Sequence, residues 1–456
     1  MSSVHFDTTL GELYGLDKQD PRGIYLFYMI PTATLQMTQG IPISKKYVYQ
    51  DTLSPKNFEI QARIFTQIAP QLFGFIAGNL NIIMFDLDAP DGGIDPQPRK
   101  DTQDVLSCIA ESQRPLVTYV RSVEDIILPP DTLLAVANPM DCLEHFPSTV
   151  PFENHYRALS KRDLVGSGLP TPESIIVETR LSPMKVRDPQ TRIEEVNRML
   201  EVIKYRSMPF VVKLPQACSG QGVFLVRNEE ERSSALSVLE TGVDTMLQQL
   251  SPSNEHLHPS SLIVQEMLSG SAVAIALFLS REGEVYITSV CDQFVDAQGN
   301  WGGGHIDYAA QERLIEEYRA IAKKIGDYMH TLAYYGPLGA DIMVDAKGNH
   351  VVIDLNARVT GSHALGFLKG HFNRERGFSD AAILFPLVGG VQRKVCWGVG
   401  GGEDGRCGVV SWKREGGECG DGHFGRGESG KVDGLGGEGK KASDGEVLIA
   451  ETVFGC

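Results

Sequence analysis

The chain has 456 residues, of which 42% are hydrophobic and 22% charged, and this describes a globular protein long enough for two or three domains with a sizeable core. A formal charge of −16 disfavours a nucleic-acid binder, because so acidic a surface repels phosphate, and no apolar run approaches the ~20 residues needed to cross a bilayer. The eight cysteines are scattered without a C-x-x-C pair, which suits reduced thiols in a cytoplasmic protein.

Met1–Lys18 carries Asp7, Glu12 and Asp17 and lacks a basic start and an apolar run, so it does not read as a secretory signal. Over residues 1–150, Ile24–Ile30, Leu80–Phe85, Leu116–Val120 and Leu133–Ala137 read as buried strands, with amphipathic segments such as Phe58–Phe73 between them. That alternation predicts an open α/β domain with some parallel pairing. Asp86 and Asp88 end a strand, where they either meet solvent or face a ligand. Over residues 151–388 the pattern turns to α+β. Arg192–Tyr205 is a predicted helix with Ile193, Val196, Leu200 and Ile203 on one face, and Gln311–Leu332 is a second. Pro209–Leu214 and Leu262–Gln265 read as short strands. From 389 to 456 glycine takes about 20 of the last 67 positions, interleaved with charge, and such a segment cannot offset its ordering entropy. The expectation there is a disordered low-complexity tail, its abrupt onset suggesting a translated intron or frameshift.

The sharpest chemical signal is Gly336–Arg358. Two apolar strands flank a polar Ala346–Asn349 turn, the pattern of a hairpin. Symmetric closure pairs Asp345 with His350 and Asp341 with Asp354, and alternation then points Asp354, Asn356 and Arg358 to one face. Two carboxylates ~5 Å apart repel by roughly 3 kcal/mol at an effective dielectric of 20. A hard divalent cation such as magnesium relieves that repulsion; Asn356 adds an amide oxygen, and the Arg358 fork suits a phosphate or carboxylate. The competing reading is a surface hairpin with a solvated acidic face.

Lys213 ends an apolar strand and is followed by Ser219–Gly220–Gln221–Gly222, whose backbone amides can fold over phosphates, although many ordinary hairpins share the pattern. Gln265–Glu266–Met267–Leu268 closes another strand, and its backbone can pair with an adenine edge or simply end the strand. Trp301–Asp307, rich in glycine, reads as a lid or substrate loop, with His305 as a base or as a turn histidine without a chemical role.

These pieces are informative in their order. Ser160–Lys161–Arg162 and Gly168–Leu169–Pro170–Thr171–Pro172 come first, followed by Lys213 with its glycine loop and then Gln265–Leu268. Gly339–Ala340–Asp341, Asp354–Leu355–Asn356–Ala357–Arg358 and Thr360–Gly361–Ser362 complete the series. The sequence over 151–388 resembles the ATP-grasp superfamily of carboxylate–amine ligases. The resemblance implies two α+β lobes clamping ATP, preceded over 1–150 by an α/β domain that forms part of the acceptor site. It assigns Lys161 and Lys213 to the nucleotide phosphates, Ser219, Gly220 and Gly222 to the phosphate-covering loop, and Gln265, Glu266, Met267 and Leu268 to the adenine hinge. Asp341, Asp354 and Asn356 become the Mg2+ ligands, with Arg358 and Lys213 catalytic. The family more often has glutamate at the first two metal positions. The N-terminal region and Gly361–Phe385 are also similar to fungal secondary-metabolism members related to pheganomycin-type peptide ligases.

The implied function is ATP- and Mg2+-dependent activation of a carboxylate as an acyl phosphate and its transfer to an amine. Substrates would be small carboxylates and amines, including amino acids or peptides, acting in the cytoplasm with no nucleic acid or membrane and possible homodimerisation. The rivals are a phosphotransferase that stops after phosphoryl transfer and a nucleotide-binding protein without turnover.

Overall fold

The computed structural model describes residues 3–16, 23–32, 35–50, 58–89, 92–217, 222–270, 272–295, 301–345 and 347–384, with short strands at 387–388, 391–392, 396–399 and 409–411. The first sheet is parallel and is built from β1 (Gly23–Phe27), β2 (Asn81–Phe85), β3 (Leu116–Val120) and β4 (Thr132–Val136) in the order β3-β2-β1-β4. The four apolar runs read from the sequence are these strands, but β3, expected to be buried, lies at the sheet edge with Leu116 63% exposed and only Val120 fully buried. α1 (Leu10–Tyr14) precedes β1, α2 (Phe58–Arg63) and α3 (Ala69–Gly74) lie between β1 and β2 with a π-helical turn at Ile64–Ile68 between them, and α4 (Gln97–Ser107) lies between β2 and β3.

Two short helices, α5 (Phe152–Ala158) and α6 (Lys161–Val165), then lead to the second sheet, and the Ser160 hydroxyl caps α6 by accepting from the Asp163 amide. That sheet contains β5 (Ser174–Glu178), β6 (Phe210–Lys213), β7 (Val223–Val226) and β8 (Ser261–Glu266) in the order β5-β8-β6-β7, all antiparallel. Against it lie α7 (Pro189–Tyr205), capped by Asp188 with proline in its first turn, and α8 (Glu229–Gln248), capped by Asn228. Val196, Leu200 and Ile203 bury as expected, but Ile193 is 53% exposed and lies off the packed stripe. Val186 to Val264 form a core of their own.

The third sheet runs β13-β12-β9-β10-β11-β14, continued by β17 and β18. Its strands are β9 (Val273–Leu279), β10 (Val285–Val295), β11 (Trp301–Asp307), β12 (Gly336–Val344), β13 (His350–Asn356) and β14 (Asp380–Leu384). β15 (Leu387–Val388) pairs with β16 (Val391–Gln392), while β17 (Cys396–Val399) and β18 (Val409–Ser411) extend the large sheet. The described pieces of 389–456 are therefore strands rather than irregular chain; the rest of the tail, and the expectation of disorder there, lies outside the described residues. α9 (Gln311–Thr331) and α10 (Gly361–Phe367) contact the large sheet. Two apolar cores bind the parallel sheet to the large one, the first joining Phe27, Val136 and Tyr156 to Ile275, Leu338 and Ala357. The small sheet meets this larger body along a seam. Among the described residues no helix is long and apolar enough to cross a membrane.

Candidate active site

The seam is crossed by two lysines. Lys213, the last residue of β6, is buried in the small sheet's body and donates its ammonium to the Ile353 carbonyl on β13 at 2.6 Å. Lys161, at the start of α6, is also buried; its ammonium donates to the Ala217 carbonyl at 2.8 Å and lies 3.2 Å from Asp354 Oδ2. Burial lowers the Lys213 pKa from 10.5 to about 8, with the Asp354 charge opposing and the Lys161 charge assisting.

On the large sheet Asp341 pairs with Asp354 across β12 and β13, as the hairpin pattern predicts. The turn differs. Val344, not Asp345, stands opposite His350, and Asp345 instead uses its carboxylate to bind the Lys347 and Asn349 amides. A β-bulge at Ile353 restores the register before Asp354 is reached. The bulge has a consequence for the seam, because the extra residue's carbonyl leaves the ladder and receives Lys213.

Asp341 is raised from 3.8 to about 6, first by burial and then by the charge of Asp354. Gln293 opposes this by donating Nε2–H to Asp341 Oδ1 at 2.6 Å. Gln293 reaches from β10 past β9, on which Ala274 stands between Asp341 and Cys291. Sequence reasoning missed it, because only the pairing of three strands brings it to the site. Asn356 lies two residues beyond Asp354 on the same strand face. Arg358 is 9% exposed, and among the described residues no side chain is paired with its guanidinium. Nearby His155 is held neutral, burial bringing its pKa down to about 4, with Nε2 2.7 Å from the Ala357 carbonyl.

Other expected residues fall differently. Ser219 and Gly220 lie outside the described residues, whereas Gly222 is described with φ +65, and its carbonyl accepts from the Leu214 amide at 2.8 Å. Glu266 ends β8 with its carboxylate accepting from the Glu173 amide at 3.0 Å, and buried Gln265 donates its amide to Ser174 Oγ. Glu266 and Leu268 line a cavity of about 470 Å³ with Pro170, Lys324 and His350, and none of the seam lysines or aspartates reaches it. Met267 lies between these two lining residues.

The glycine-rich Trp301–Asp307 segment is not a loop; it is β11, hydrogen-bonded on both sides by β10 and β14. His305 stands opposite Asp292, and Gln293, the next residue, points to the other face to reach Asp341. Alternation therefore places His305 on the face away from Asp341, between Asp292 at 3.8 Å and Asp380 at 3.5 Å. Asp86 is taken up by a bidentate ion pair with Arg99 at 2.6 Å and Asp88 by Arg121 at 3.0 Å, so neither is free for a ligand.

The donor set at the seam fits a hard cation carried by an anion. Two facing carboxylates and an amide supply oxygen ligands, and two ammonium groups and a guanidinium without a side-chain partner among the described residues supply positive charge. Among the described residues no cluster of three His, Cys, Asp or Glu side chains forms a metal cage. Magnesium takes one or two carboxylates and draws its remaining ligands from phosphate and water.

Residues 189–356 match the family model described as L-aspartate–L-methionine ligase, ATP grasp. That segment is similar to the ATP-grasp family. A curated relative is the [butirosin acyl-carrier protein]–L-glutamate ligase of Niallia circulans, 29% identical over 154 residues, which are 33% of this chain and 33% of that one. The chain thus matches about a third of that relative's length. Among solved structures, the L-amino acid ligase of Bacillus licheniformis is similar at 14% identity and TM-score 0.46, over 80% of this chain and 82% of that one. The phosphoribosylamine–glycine ligase of Thermotoga maritima is similar at 12% identity and TM-score 0.43, over 79% of each. At those distances the structural likenesses carry no assignment.

Proposed function

We propose that this protein is an ATP-grasp ligase that uses ATP to activate a carboxylate and joins it to an amine. The observation that carries this reading is the pairing of Asp341 with Asp354 beneath two buried lysines. A desolvated Asp341 facing the Asp354 carboxylate is unfavourable in the ligand-free protein, and a nucleotide-bound cation turns that repulsion into attraction.

Asp341, Asp354 and Asn356 would hold magnesium, which when bound supplies charge neutralisation between nucleotide phosphates. Lys161 and Lys213 neutralise phosphate oxygens from the small-sheet side, each exchanging a backbone carbonyl for a charged acceptor. Arg358, without a side-chain partner among the described residues, binds the phosphoryl group in transit and offsets its charge. The substrate carboxylate attacks the γ-phosphorus to give an acyl phosphate and ADP, and the amine then displaces phosphate to form an amide. Glu266 to Leu268 form the adenine hinge, and Ser219 to Gly222 cover the phosphates against water. Residues 1–150 form an acceptor-side domain and 151–388 the catalytic one.

The relative from Niallia circulans is named for joining glutamate to a carrier protein, and the family model for joining two amino acids. Both favour an amino acid as one substrate here. The test is ADP release from ATP and magnesium with amino acids supplied singly and in pairs. Release that needs both an acid and an amine supports the ligase. Release with a hydroxyl compound alone would make the protein a phosphotransferase.

A further inference from the structure

A desolvated guanidinium a few residues along the chain from a carboxylate needs a backbone that holds it in place. Arg358 is such a group: it is 9% exposed and has no side-chain partner among the described residues. Its own amide turns back onto the Asn356 carbonyl at 2.7 Å, which closes the chain tightly but leaves the Ala357 peptide to be anchored elsewhere.

The anchor is His155. Its Nε2 lies 2.7 Å from the Ala357 carbonyl, and a carbonyl carries no hydrogen, so the imidazole is the donor. Both residues are buried, with Ala357 at 0% exposure, and no solvent stands ready to replace the bond. Tyr334 braces the imidazole edge-on at 5.5 Å, and the Tyr334 hydroxyl is itself tied to the Pro337 carbonyl. The next residue of α5, Tyr156, accepts the Gln216 amide on its carbonyl at 2.8 Å and donates its hydroxyl to the Val48 carbonyl. Gln216 precedes Ala217, the residue whose carbonyl holds Lys161. One helix therefore touches both the turn that carries Arg358 and the loop that steadies Lys161.

The Arg358 charge is felt at His155 and at Tyr334. We propose that His155 is a positioning residue that fixes the Ala357 peptide, so that the Arg358 guanidinium is held in one place to meet an incoming anion instead of swinging with a loose turn. This rests on the ligase reading given above. His155 touches neither substrate nor nucleotide and acts wholly through Arg358. A misplacement of about 1 Å in such a group costs about 100-fold in rate, which sets the scale of the effect.

The test is a double-mutant cycle on the full chain with His155→Leu, His155→Gln, Arg358→Ala and the double variant His155→Leu/Arg358→Ala. Turnover is read as ADP release with ATP, magnesium and a mixture of the common amino acids. His155→Leu is expected to lower kcat about 30-fold while leaving the KM for ATP within about twofold. His155→Gln keeps an N–H donor and recovers most of the loss. The double variant is expected to be no slower than Arg358→Ala alone, because the histidine has nothing left to position. Additive losses would overturn the proposal, and so would a glutamine variant as slow as the leucine one at equal thermal stability. If the unaltered protein releases no ADP under any condition, the ligase reading fails by itself. The cycle then moves to AMP-PNP affinity measured by calorimetry, where the same non-additivity supports the positioning role and additivity refutes it.

Discussion

Asp341→Asn is expected to make the nucleotide-free protein more stable, although it removes a residue of the site. The side chain is isosteric, and its amide oxygen can still accept the Gln293 bond made at 2.6 Å in the parent. What disappears is the charge. Asp341 rises from 3.8 to about 6 on folding, through burial and the charge of Asp354. A carboxyl raised in the folded state costs stability in full above its folded pKa, and the cost fades as pH falls toward the unfolded value. At pH 7.5 the rise corresponds to about 3 kcal/mol, and at pH 5 to roughly half of that. The repulsion of two carboxylates ~5 Å apart at an effective dielectric of 20 gives the same order. In thermal unfolding with chelator present, Asp341→Asn should raise the midpoint at pH 7.5 by roughly 5 °C. The advantage should shrink by about half at pH 5. Magnesium with ADP should stabilise the unaltered protein and leave the variant nearly unmoved. A variant less stable than the parent at pH 7.5, or an advantage that does not depend on pH, would refute the reasoning.

Other outcomes follow from the same geometry. Asp354→Ala should abolish ADP release and leave Lys161 without its carboxylate partner at 3.2 Å; unchanged turnover would remove Asp354 from the metal site. Lys213 titrates at about 8 and holds phosphate only when protonated. ADP affinity without magnesium should therefore decline as pH rises through about 8, by up to tenfold per pH unit, and Lys213→Arg should flatten that decline in calorimetry. Gln293→Ala should weaken Mn2+ binding, read by electron paramagnetic resonance with ADP present, by about tenfold, because Asp341 loses the donor that orients it. Arg99→Ala should destabilise the protein through Asp86, which is 9% exposed, without altering nucleotide affinity.

The strands of the first sheet were legible because buried parallel strands are short apolar runs bounded by polar turns, as at Leu80–Phe85 and Leu133–Ala137. The facing of Asp341 and Asp354 was legible from the hairpin pattern, yet by a route that was wrong at the turn. Symmetric closure placed Asp345 against His350, and the bulge at Ile353 absorbs the one-residue difference. Nothing in the composition of Val351–Asp354 marks a bulge, and the Lys213 ammonium that occupies the Ile353 carbonyl comes from another sheet. Glycines at 302–304 suggested a loop, but here the small residues let β11 run between two partners beside Trp301. Gln293 and His155 were invisible for a shared reason. Each acts on a residue far along the chain, and their local sequence carries no period, cap or motif that points there.

The most direct measurement of the central idea is calorimetric binding of ADP with and without magnesium to the unaltered protein and to Asp354→Asn. If a cation sits between Asp341 and Asp354 and carries the nucleotide, magnesium should tighten ADP binding at least about tenfold in the parent and leave the variant nearly unchanged. Equal affinity with and without the metal in the parent, or an undiminished magnesium effect in the variant, would contradict it.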